Sequence, residues 1–308
     1  MDALTDVLEM CRLEGTVFSR AWLDGPWAVR ASQLPHGIFH GVVRGSCWVV
    51  PEGHDPRRLE QGDVVFLPHG TPHVMCDLPG RPARPIFELS EPGVDGGPGR
   101  LVIEGEGAHT ELICGSVAFD AGATHPLLSA LPAALVAPPR RGREAARARV
   151  LDMITDELAH RDVGSEVAVA RLTEVLLVRA LRAWIEQAEG VEGWLGGLTD
   201  DRIARAMAYI HRRPDERWTV DGLARLAGMS RSSFSATFHR LVGDSPRRYL
   251  IRWRMHLASR ALRQTSDSLA QIASRVGYAS EFSFSKAFKD ELGVAPSRYR
   301  AGLVADPS

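Results

Sequence analysis

Lysine is almost missing from this chain: two of its 37 basic residues are lysine, Lys286 and Lys289, and both fall in one short segment. Cysteine is nearly as scarce, four in 308 residues, and Cys11, Cys47, Cys76 and Cys114 all lie in the first 114. So few thiols, in a chain long enough for two domains, do not make the disulfide framework of a small secreted fold. No apolar run reaches the roughly 20 residues that cross a bilayer. No early apolar stretch carries the basic flank and small-residue cleavage site of a secretory leader. Export and membrane insertion are therefore not expected, and the cytoplasm is the expected compartment. The rest of the composition, 44% apolar and 24% charged, is that of a soluble globular protein.

The net charge of −1 conceals a strong polarity. Residues 201–300 hold 19 basic and 9 acidic side chains, a formal +10, which leaves −11 for the remainder. A basic C-terminal third is what a surface that neutralises phosphates needs. The same third contains a duplication. Ser230, Phe234, Phe238, Gly243, Pro246 and Tyr249 are matched fifty residues later by Ser280, Phe284, Phe288, Gly293, Pro296 and Tyr299. Upstream the offset falls to 49, so the second copy has a turn one residue longer. One duplicated unit is not a solenoid, which needs three repeats or more.

Each copy reads as helix, turn, helix. Val220, Leu223, Ala224 and Ala227 keep helical apolar spacing, Gly228 marks a helix end, and Ser230 is an N-cap for the next helix. There Phe234, Phe238 and Leu241 form an inward stripe, with Phe284, Phe288 and Leu292 in the second copy. Phe282 is ambiguous between a core position and an apolar contact to a thymine methyl. Ser245-Pro246 starts a connecting helix through Tyr249, Leu250, Trp253, Leu257 and Leu262, which fixes the spacing of the two units. Two reading helices on one face of a duplex would stand about 34 Å apart.

Residues 200–301 resemble the double helix–turn–helix domain of AraC/XylS-type transcription regulators. The resemblance rests on Ile272–Lys289 followed by Gly293–Arg300. It implies contacts to promoter DNA from the outer faces of the second helices. The base-reading positions carried over are Ser232, Ser235 and Ala236 in the first unit and Glu281, Phe282, Ser283 and Lys286 in the second; Arg231, Arg240 and Lys289, read as outward-facing from the helical spacing, complete the expected DNA-binding set. Serine and alanine cannot make the bidentate base contacts of Arg, Asn or Gln.

Residues 1–125 read as an all-β domain. Short β-rich runs at 38–43, 47–50, 64–67, 73–76, 101–103 and 112–119 are separated by Gly/Pro/Asp clusters, the pattern of a small barrel or jelly roll. The breaker-rich Pro92–Gly99 is expected to be a loop. Gly62-Asp-Val-Val-Phe-Leu-Pro-His-Gly-Thr-Pro-His73 is similar to the second cupin motif. With Phe39–Trp48, Cys114-Gly115, His125–Leu128 and Leu131-Pro132 it resembles the cupin-type sensory domain of one branch of these regulators. Metal-dependent cupins follow a His-x-His pair with a glutamate. Here His36 and His40 are four apart, and Arg44 and Gly45 stand where the carboxylate belongs. His36, His40 and His73 are candidate effector or metal ligands, with hydrogen-bonded barrel residues as the plainer reading and no assigned cofactor. Some relatives with this domain respond to oxidants, which makes Cys11 and Cys114 the candidate redox pair; buried thiols are the plainer reading.

Residues 126–199 form the expected linker. A break at Pro138–Gly142 precedes helices at 144–160 and 166–188, the second too apolar for a lone linker, so it packs on the barrel or forms a two-fold interface. Glu189–Gly197 is the expected hinge. The whole is an α+β multidomain chain: a cupin-like barrel, a helical linker and an all-α double helix–turn–helix domain. The expected function is a sequence-specific, DNA-binding transcription regulator, expected to be an activator and not an enzyme, whose barrel senses a small molecule or oxidant. The expected partners are promoter DNA, RNA polymerase and a second copy of the chain in a homodimer. The alternative is a metal-dependent cupin enzyme fused to a DNA-binding domain.

Overall fold

The computed structural model describes residues 3–11, 14–91, 99–118, 131–136, 144–160, 162–186 and 193–304. Of the expected loop Pro92–Gly99 all but Gly99, which begins a strand, lies outside the described residues, as do the break at 138–142, the motif at 125–128 and the first part of the hinge, 189–192. By their contacts the described residues form two units, one of 14–118 with 131–186, the other of 3–11 with 193–304. The linker helices thus group with the barrel, and the first nine described residues group with the C-terminal helices.

The β unit is built from β1 (Glu14–Asp24), β2 (Ala28–Ala31), β3 (Gly37–Arg44), β4 (Ser46–Pro51), β5 (Arg57–Glu60) and β6 (Val64–Leu67). It continues with β7 (His73–Cys76), β8 (Arg84–Pro85), β9 (Ser90–Glu91), β10 (Gly99–Ile103), β11 (His109–Ala118) and β12 (Leu135–Val136). They form a seven-stranded sheet, β12-β6-β3-β11-β1-β10-β9, and a five-stranded sheet, β5-β4-β7-β2-β8. Buried Trp27, Val29, Val42, Val49, Leu59 and Met75 fill the core. Six of these strands fall on the runs read from sequence. The long strand β1 does not, because its buried residues are the small ones: Gly15, Val17, Ser19, Ala21 and Leu23 alternate inward. Its bulky residues point out, and Trp22 is covered by the guanidinium groups of Arg20 and Arg100 at 4.9 and 5.3 Å from its ring centre.

Two helices cover this unit, α2 (Glu144–His160) and α3 (Ser165–Ile185). Their approach is set by glycine. A Cβ on Gly41 would stand 2.5 Å from Leu151 of α2, and one on Gly15 would stand 2.5 Å from Thr173 of α3. Val169, Leu176, Leu177, Ala180 and Leu181 bury the inner face of α3. Met153, Val167 and Val175 remain exposed on the outer faces.

The helical unit comprises α1 (Ala3–Cys11), α4 (Trp194–Gly197), α5 (Asp201–Arg212), α6 (Val220–Leu226) and α7 (Arg231–Val242). After these come α8 (Pro246–Gln264), α9 (Leu269–Arg275), α10 (Glu281–Leu292) and α11 (Pro296–Val304). The duplication is structural as well as sequential. Ser230 and Ser280 cap α7 and α10 by accepting from the backbone N–H of Ser233 and Ser283. Gly243 and Gly293 end them at φ 77° and 76°, where the left-handed backbone suits glycine. The aromatic chain repeats too: Phe234–Phe238–Tyr249 has ring centres 5.5 and 5.7 Å apart, and Phe284–Phe288–Tyr299 has 5.7 and 5.5 Å.

Helix α8 belongs to both copies. Arg254 donates to the carbonyls of Pro214 and Glu216 at 2.6 and 3.0 Å and lies 5.5 Å from the ring centre of Tyr278. Arg252 pairs with Asp244 and Glu291, and Arg248 with Glu291. The connecting helix is tied to the segment before the first unit and to α10 alike.

Candidate functional site

The two copies present the same face. From Arg231 to Arg240 and from Glu281 to Asp290 the order of exposed, half-buried and buried residues is identical, position by position. The phenylalanines at the fourth and eighth positions are fully buried and fix the rotation of each helix. Arg231, Ser232, Ala236 and Arg240 are therefore exposed on α7, with Ser235 half-buried, and Glu281, Phe282, Ser283, Lys286 and Lys289 are exposed on α10. Phe282 is 81% exposed, which removes the core alternative for it. It stands one helical turn from Lys286, so an apolar plate and an ammonium share one edge of α10. Ser283 is occupied within the cap, donating to the Ser280 carbonyl at 2.9 Å. Arg231 pairs with Asp221 at 3.2 Å across the turn, an exposed contact that a phosphate could displace.

Sequence reasoning missed what backs the first copy. Helix α1 packs against α5 in the same unit, with Ala3, Leu4 and Val7 buried. Below it His211 stacks on Trp253, ring centres 3.6 Å apart, and hydrogen-bonds the Tyr249 hydroxyl at 2.7 Å. Asp6 of α1 approaches the other nitrogen of that ring to 3.7 Å, beyond hydrogen-bond reach. Burial holds His211 below its ordinary pKa, against the opposing pull of Asp6. In the second copy the equivalent tyrosine hydroxyl, on Tyr299, accepts from Arg263 at 2.9 Å.

In the barrel the structure brings together two of the three expected histidines and one of the two expected cysteines. His40 and Cys114 are directly opposite in the β3–β11 ladder. Nδ1 of His40 lies 2.9 Å from Sγ of Cys114, and its Nε2 lies 2.7 Å from Nε2 of His73. His73 closes the chain through Nδ1 to the Thr71 carbonyl at 2.8 Å. With both rings held neutral by burial, that last contact sets the order of protons. A carbonyl accepts, so His73 is protonated on Nδ1 and bare on Nε2. His40 must then donate from Nε2, which leaves its Nδ1 bare to accept from the Cys114 thiol. Burial, reinforced by the neighbouring ring, holds His40 well below its ordinary pKa, and burial lowers His73. Both rings are neutral.

His36 is exposed and takes no part in this chain. Cys114 is buried and its thiol is pushed up to about 12 by burial, so it lacks the exposed thiolate that a redox switch with Cys11 requires. The side chain of Cys11 is outside the described residues. Cys47 and Cys76 are also buried, with thiols raised by desolvation. A divalent cupin-type metal does not suit this donor set. The two imidazoles share one proton between their Nε2 atoms, and among the described residues no group of three or more His, Cys, Asp or Glu is arranged for a metal. Among the same residues no helix is long and apolar enough to cross a membrane.

Comparison with known proteins agrees with both halves. A cupin family model matches residues 2–186, and a helix–turn–helix domain model matches residues 223–302. A putative AraC-like transcription regulator of Streptomyces antibioticus is 36% identical over 305 residues, 97% of this chain and 98% of its own length. The HTH-type transcriptional regulator MtrA of Neisseria gonorrhoeae is 30% identical over 311 residues, 97% of this chain and 98% of its own. Among solved structures, the DNA-binding domain of AdpA in complex with a target DNA is 33% identical, covering 34% of this chain and 95% of that one, with a TM-score of 0.33. With a cupin domain ahead of a duplicated helix–turn–helix, and with relatives matched over almost the whole length, the chain belongs to the AraC-like, DNA-binding transcription regulators.

Proposed function

We propose that α7 and α10 enter successive major grooves of promoter DNA, with Arg231, Ser232, Ser235, Ala236 and Arg240 facing one and Glu281, Phe282, Ser283, Lys286 and Lys289 facing the other. The observation that carries this reading is the identical burial order of the two helices, which leaves the same edge of each free. Most base-level discrimination falls to α10. Phe282 is suited to a thymine methyl and Lys286 to guanine, whereas the serines and alanine of α7 permit close approach with little readout. Arg240 and Lys289 serve phosphates.

On this reading residues 200–301 read the operator, and residues 1–125 form the sensory domain for a small molecule or oxidant. The segment 126–199 supports a homodimer through the apolar outer residues Met153, Val167 and Val175. The protein works in the cytoplasm, where it activates transcription with RNA polymerase and catalyses no reaction itself. The enzyme alternative has little support from a barrel whose two central histidines each commit Nε2 to the other.

The test is a map of bound genomic sites followed by footprinting on one of them. The expected result is protection of two half-turn segments about one helical turn apart, with the α10 segment the more sequence-dependent. Uniform binding to unrelated DNA at every salt concentration would refute sequence-specific reading.

A further inference from the structure

We propose that the Cys114–His40 pair inside the barrel is a binding site for a soft monovalent metal cation of the copper(I) or silver(I) type. The site goes beyond the reading above, although its service as a signal rests on that reading. The argument begins with orientation. Cys114 and His40 are cross-strand partners, and Sγ and Nδ1 face each other across 2.9 Å with only the thiol proton between them. His40 Nδ1 is already bare, because the Thr71 carbonyl fixes His73 and His73 fixes His40. A ligating imidazole whose other N–H is held by a hydrogen-bond partner is the usual outer arrangement of a metal site.

Charge selects the cation. The pair is buried in an apolar core with Val42, Val49 and Leu112, where an uncompensated charge is costly. Replacing the thiol proton by a monovalent cation forms an S–metal bond, releases one proton, and leaves the core as neutral as before. A divalent ion would leave a net positive charge. Thiolate and imidazole donors suit soft copper(I), which accepts two ligands, whereas zinc in structural sites takes four. With metal–ligand lengths near 2.3 Å for sulfur and 2.0–2.1 Å for nitrogen, the donors must separate to roughly 3.1 Å even at a right angle. Binding requires side-chain rotation of Cys114 to supply that movement, in the direction of a more linear site.

The experiment uses the full-length reduced protein without oxygen, titrated with copper(I) held by a competing chelator. The expected result is one equivalent bound with a sulfur-to-copper charge-transfer band, absent in Cys114→Ser and kept in Cys76→Ser. His73→Gln, which alters the partner of His40 but neither proposed ligand atom, should weaken binding by about 10–100-fold. X-ray absorption of the loaded wild type guards against a folding defect in the variants: sulfur plus nitrogen coordination supports the site. Sulfur-only coordination, an undiminished band in Cys114→Ser, or equal competition by zinc(II) overturns it. DNA binding measured on the metal-free protein is a separate readout, so its loss would count against the regulator reading and leave the metal site standing.

Discussion

The two helix–turn–helix copies share a fold to within a few tenths of an ångström in their aromatic chains, yet they are finished differently. In the first, a buried neutral histidine holds the tyrosine and a helix from the start of the chain covers it. In the second, an arginine holds the tyrosine. The outer faces diverge in the opposite sense. The first copy is small and plain, with Ser232 and Ala236 where the second has Phe282 and Lys286. Duplication preserved the part that packs and released the parts that meet other surfaces, because a core tolerates few volumes while an exposed edge tolerates many.

The largest test of this contrast is in the shared part. Phe238→Ala and Phe288→Ala should each cost about 3–5 kcal/mol, since both rings are fully buried. Thermal melting of the two variants should give similar losses; a wild-type melt for either would contradict its assigned face.

Next comes the part that differs. Val7→Asp should expose the first copy alone, removing about 1.5–3 kcal/mol of burial, seen as faster hydrogen exchange in α5 and around Tyr249 while α10 is unchanged. Equal acceleration in both copies would show that α1 is not specific to the first. Acid should act on the same contact. His211 is held below its ordinary value of 6.5 in the fold, so the unfolded chain binds the extra proton first. Its contribution is complete above about pH 6.5 and shrinks as the pH falls towards the folded value. His40 and His73 are lowered too, so the arm due to the first copy is the part of the acid loss that His211→Gln abolishes.

The outer faces come last. Lys286→Ala should relax preference at one operator position by about 1–3 kcal/mol and flatten the salt dependence of binding. An unchanged footprint and affinity would remove Lys286 from the groove. Ser232→Ala should change affinity by less than about 1 kcal/mol, because a single hydroxyl makes no bidentate contact. A loss as large as that of Lys286→Ala would reverse the ranking of the two copies.

Much of this was legible in the residues. The fifty-residue repeat, the caps at Ser230 and Ser280 and the inward phenylalanines are local signals, and the helix at 144–160 was read to its ends. Strand β1 was hidden because Phe18 and Trp22 face outward and blur the period of two. The docking of α1 was invisible because Leu4 and Val7 give no hint of a partner some 200 residues away. The His40–Cys114 contact depends on the register of two strands far apart in the chain, which composition cannot encode. For Cys114 the residues leave a redox thiol and a buried one both open, and its apolar surroundings fit the buried one.

Arg254, reaching back to residues 214–216 and across to Tyr278, ties the connecting helix to both copies, which on the proposed reading makes α7 and α10 a caliper with a fixed jaw. A tool that cannot stretch leaves the duplex to do the yielding. Promoters whose intervening steps curve readily would then be favoured at positions no side chain touches, and a single inserted base pair there would be felt as strongly as a wrong letter.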